Sequence, residues 1–163
     1  MKILGLSFVS FAIFLLGYIK SCSLKRNSEI EDGFVLLISH IRAFLSSSAM
    51  PLDRIYESFS DEALSSSGFL EELNKKDCDS FYNAMCKKGN TLLKNQRLSE
   101  LVTDFSKKIG TSPSSGDGRR LCENCLQLMK EEIDRTREKD KTKAELYSKL
   151  SIVFAVFVFL MFI

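Results

Sequence analysis

RRLCENCLQLMKEEIDRTREKDKTKAELYSKLSIVFAVFVFLMFI, residues 119–163, contains neither glycine nor proline and changes character twice along its length. Its first part repeats apolar residues at helical spacing, with Leu121, Cys125, Leu128 and Ile133 as the expected core face. Between Asp134 and Lys143 no large apolar residue occurs. From Leu150 to Ile163 there is no charge, and Ile152, Phe154, Val156, Phe157 and Phe159 leave no polar face. The stretch predicts one unbroken helix, roughly 68 Å long at 1.5 Å per residue, that leaves a core, crosses water and enters lipid. An all-round apolar helix rarely lies on a small domain's surface, which favours the membrane over a buried C-terminal helix.

The charged middle of that helix carries opposite charges three and four residues apart: Glu131 with Arg135, Asp134 with Arg137, Glu138 with Lys141, Asp140 with Lys143. Each such pair contributes only about 0.2–0.5 kcal/mol, enough to keep an exposed helix wound but not to define a site. The segment reads as a solvated stalk and not as a charge-reading surface.

The other end of the chain mirrors this one. Ile3 to Ile19, between Lys2 and Lys20, is also uncharged. A span needs about 20 apolar residues, with roughly 17 as the lower limit. The first segment meets that limit; the second is short, but Leu146, Tyr147 and Leu150 lengthen its apolar face while Lys149 snorkels to the headgroups. Lys20, Lys25 and Arg26 follow the first segment and Lys139, Lys141, Lys143 and Lys149 precede the second, which places the centre of the chain in the cytosol and both termini across the membrane. Ile19-Lys20-Ser21-Cys22 loosely resembles a lipoprotein cleavage box, which would lipidate Cys22. Lys20 inside the box and a lone Lys2 before it argue against that processing. The expected organisation is an all-α, antiparallel helical bundle held between two terminal transmembrane helices: 1–26 anchor and basic stretch, 27–145 cytosolic bundle, 146–163 second anchor continuous with the last bundle helix.

Apart from Lys2 the chain's 23 Lys and Arg fall between the two apolar ends, against 21 Asp and Glu, so the near-cancelling charge gives no case for nucleic-acid binding. Five cysteines is an odd number, which with a cytosolic domain favours reduced thiols. The periodicity of the middle is helical throughout. Ser28 and Glu31 form a capping box expected to open a helix with Ile30, Phe34, Leu37, Ile38, Ile41 and Leu45 inward, and Ser46 to Ser48 break it. Pro51 starts the next helix at its first position, with Leu52, Ile55, Tyr56 and Phe59 inward. Asp61 opens a short segment to Leu64, and Phe69, Leu70 and Leu73 give another after Gly68. Asp77 or Asp79 caps a helix that buries Phe81, Tyr82, Met85 and Cys86 and ends near Gly89. Leu98, Leu101, Val102, Phe105 and Ile109 space a further helix with Gly110 as its C-cap, and Thr111 to Gly118 is the clearest break.

Chemistry is sparse. His40, the single histidine, sits one turn from Leu37 and Phe44 and reads as structural. Cys122 and Cys125 form a Cys-x-x-Cys, but no strand precedes it, as it would in a thiol reductase. A zinc site would recruit Cys78, Cys86, Cys122 and Cys125, whose first pair is too widely spaced for a usual knuckle. No phosphate-loop or dinucleotide fingerprint occurs. The residues therefore single out no catalytic, cofactor-binding or metal-binding position. Two other classes remain: a generic cytosol-facing membrane adaptor or scaffold, and a thiol or metal protein using Cys122 and Cys125.

The order of elements resembles the stage III sporulation protein AB family of endospore-forming bacteria. The resemblance lies in basic Lys25 and Arg26 after the first apolar segment, Ile38 to Leu45 followed by Pro51 and Leu52, the Ile109-Gly110-Thr111-Ser112 break, and a final helix through Leu146, Tyr147 and Leu150. It departs from the family's pattern at Ser151, where Gly is usual, and at Asp117, where Gln often stands. The resemblance implies a helical domain similar to the cytosolic domain of the type II secretion F protein. It also implies a non-enzymatic part of the channel assembly between mother cell and forespore, partnered by a secretion-type ATPase and small membrane proteins, with no cofactor, nucleic acid or small-molecule substrate.

Overall fold

The computed structural model describes the backbone of residues 2–47, 50–75, 80–111 and 115–161, and the side chains of residues 23, 25–46, 50–75, 80–111 and 116–139. Every regular element among the described residues is helical. In chain order they are α1 (Lys2–Ser47), α2 (Leu52–Glu57), α3 (Glu62–Ser66), α4 (Phe69–Leu73), α5 (Ser80–Ala84), a π-helical turn (Met85–Gly89), α6 (Asn90–Leu92), α7 (Gln96–Gly110) and α8 (Ser115–Met161). Two compact units result: Met1–Leu24 with Ile133–Ile163, and Lys25–Glu132.

In the first unit the backbone is helical through Ile3–Ile19 and from Leu150 to Met161, but the side chains of both expected spans lie outside the described residues. Among the described residues no helix is long and apolar enough to cross a membrane. The side chains of Cys22, Asp140, Lys141 and Lys143 also fall outside them.

The second unit is built on an aromatic chain. Phe34 of α1 meets Phe69 of α4 edge-on at 4.9 Å between ring centres; Phe69 meets Phe81 of α5 at 6.3 Å, and Phe81 meets Phe105 of α7 at 5.9 Å. Tyr56 of α2 packs on Phe81 from another side at 5.9 Å. Around this spine Ile30, Leu37, Ile38, Ile41, Leu64, Leu98, Val102 and Met129 are buried, each contributing about 1.5–3 kcal/mol by leaving water. Edge-to-face ring pairs add about 0.5–1.5 kcal/mol beyond area. Burial raises the Tyr56 phenol well above its usual range, with Asp53 acting in the same direction.

Several expected boundaries move. Ser28 and Glu31 do not open a helix, because α1 runs unbroken from Lys2 to Ser47. Nothing between Ile19 and Ser28 can stop it, there being no Gly or Pro, and Lys25 with Glu29 spans that region as an i,i+4 pair at 3.9 Å. Pro51 is the N-cap of α2 and not its first helical residue, in extended backbone at φ −64°, ψ 146°. Asp61 caps α3 as expected, its side chain accepting from the Leu64 N–H at 2.9 Å. Gly68 precedes α4 in left-handed backbone at φ 72°, a conformation that favours glycine, and the Lys88 ammonium donates to its carbonyl at 3.1 Å.

The helix expected to end near Gly89 continues three residues further as α6. Gly89 stays right-handed at φ −55°, ψ −43°, and a Cβ there would run into the Met85 sulfur. The glycine serves a close approach inside a π turn and is not a helix stop. Cys86 is exposed and Tyr82 only half-buried, against the expectation that both face the core. Gly110 is the last residue of α7 and not a left-handed cap; the helix closes on Thr111, whose N–H donates to the Lys108 carbonyl at 3.2 Å. α8 begins at Ser115, so the break is shorter than Thr111 to Gly118. Its buried face is Cys122, Cys125, Leu126, Met129 and Ile133, while Leu121 is half-exposed and Leu128 is 45% exposed. The stripe is therefore turned by one residue from the expected Leu121 and Leu128 phase.

Candidate functional site

α6 starts at Asn90, directly after the π turn, and the side chain of Asn90 faces two successive turns of α7. The Ser99 hydroxyl lies 2.7 Å and the Thr103 hydroxyl 3.0 Å from Asn90 Oδ1. The Thr103 hydroxyl also reaches the Ser99 carbonyl at 2.7 Å, the usual back-bond of a helical threonine. Asn95 caps α7, accepting from the N–H groups of Arg97 at 3.0 Å and Leu98 at 3.4 Å. Beside α6 and along α7 lies a groove of about 680 Å³ lined by Tyr82, Lys94, Glu100 and Lys107 among others.

The groove's charges are unevenly committed. Glu100 accepts from Gln96 at 2.9 Å, which leaves its negative charge in place, whereas Asp104 is paired with Lys108 at 2.6 Å. The Lys107 ammonium has no hydrogen-bond or ion-pair partner among the described residues. The Cys86 thiol beside Tyr82 raises the phenol's pKa. The groove has no histidine and no base–nucleophile pair among these groups. It offers hydrogen bonds and charge.

Apart from the groove, Glu72 of α4 receives Lys75 and, at 3.3 Å, Lys87, and the Lys75 hydrogen bond holds its carboxyl below the usual carboxylate range. Across residues 80–111 Lys87, Lys88, Lys94, Arg97, Lys107 and Lys108 stand against Glu100 and Asp104, a net of +4 in a chain whose total is +2. That local imbalance is legible in the sequence once the segment's limits are known.

The positions singled out by sequence lie apart from this groove. The His40 ring packs at a tilt against Phe44 and Phe59, 4.7 and 5.3 Å between ring centres, and its Nε2 meets the Ser58 hydroxyl at 3.0 Å. Because that hydroxyl donates to the Ile55 carbonyl at 2.8 Å, Nε2 is the donor toward Ser58, and the ring serves to seat α2 on α1. Cys122 and Cys125 share the buried face of α8, where burial pushes each thiol up to about 12. The Arg42 charge pulls Cys122 the other way, but desolvation wins. A thiol at that pKa carries almost no thiolate at neutral pH, which removes the nucleophile a dithiol enzyme requires. Cys86 is exposed while these two are buried, Cys78 lies outside the described residues, and among the described residues no group of three His, Cys, Asp or Glu is placed to hold a metal ion.

The family model described as Stage III sporulation protein AB (spore_III_AB) matches residues 2–163. No curated protein and no solved structure matches the chain.

Proposed function

The chain belongs to the stage III sporulation protein AB family, and from that premise we propose that it is a non-enzymatic, membrane-anchored structural component of the channel complex between mother cell and forespore. In this reading Ile3–Ile19 and the apolar end of α8 are the two spans. The helical domain faces the mother-cell cytosol, where it is a platform for a secretion-type ATPase beside small membrane proteins of the same assembly. The observation that carries the reading is the family match over almost the whole chain.

Two features of the molecule support it. The thiols that would serve an enzyme are buried and protonated, and the groove beside α7 offers contact chemistry alone. α8 supplies the core face of Cys122 to Met129 and then continues, with no break, to Met161. A single helix can transmit force or displacement only while its hydrogen-bond ladder is intact.

Coupling through α8 is therefore the function's mechanical prediction. Insertion of Gly-Gly after Thr136 should abolish sporulation while the protein still inserts into the membrane, read by heat-resistant spore counts and by alkaline extraction of membranes. Normal spore yield from that variant would rule the coupling out.

A further inference from the structure

We draw no further inference here: the strongest candidate, the exposed apolar side chains that α1 and α8 carry at Leu36 and Leu128, carries nothing because no feature among the described residues shows what covers them.

Discussion

Phe81 touches three other rings, at 5.9 Å from Tyr56, 6.3 Å from Phe69 and 5.9 Å from Phe105, so one side chain joins α2, α4, α5 and α7. Truncation to alanine leaves a cavity that no single neighbour can fill, and Phe81→Ala should destabilise the domain by about 3–5 kcal/mol. Urea unfolding followed by far-UV circular dichroism measures this, with Phe81→Leu as the milder substitution if the alanine variant does not fold. A loss below about 1 kcal/mol for the alanine variant, the size of an ordinary surface substitution, would show that the ring is not the hub. At the same scale Cys122 and Cys125 teach how spacing misleads. A Cys-x-x-Cys on a helix is also an i, i+3 pair on one face, and burial of that face turns two potential nucleophiles into small hydrophobes.

Asn95 works at the scale of the element. It caps α7 through its side-chain oxygen, and its amide donates to Glu132 of α8 at 3.3 Å, while Glu132 also pairs with Arg97 at 3.7 Å. Asn95→Ala should cost about 0.5–2 kcal/mol and speed amide exchange in the first turn of α7. Asn95→Asp keeps the cap but sets a second carboxylate against Glu132, so its cost should fall between wild type and alanine. Unchanged exchange at Arg97 and Leu98 in the alanine variant would remove the cap from the account. The helices themselves were legible because apolar spacing, Asp61 at a helix start and the serines after Leu45 are local signals. Gly89 reads as a helix stop in the sequence because a glycine at a helix end and one required for packing look alike until Met85 is seen against it. The phase of α8 was missed by one residue because Leu121 and Leu128 look more apolar than Cys122 and Met129, which are the side chains that fit inside. No periodicity could have shown the groove, since Asn90, Ser99 and Thr103 meet only after the chain has turned through α6 into α7.

For the whole molecule the burial pattern decides which cysteine can report the side of the membrane that the Lys25–Glu132 unit occupies. Cys122 is a poor reporter, because a shielded thiol there reflects the core and not the bilayer. Cys86 is exposed and lies within the same unit. With Cys22 and Cys78 replaced by serine, a membrane-impermeant maleimide applied to intact bacterial protoplasts should label nothing if both termini are outside and the helical domain is cytosolic. Permeabilisation without unfolding should then label Cys86 alone, and detergent denaturation should add Cys122 and Cys125. Labelling of Cys86 in intact protoplasts would invert the proposed topology. A lipid adduct on Cys22 of the unmodified chain, found by mass spectrometry, would replace the first span by an anchor. Either result would overturn the positive-inside reading of Lys20, Lys25 and Arg26.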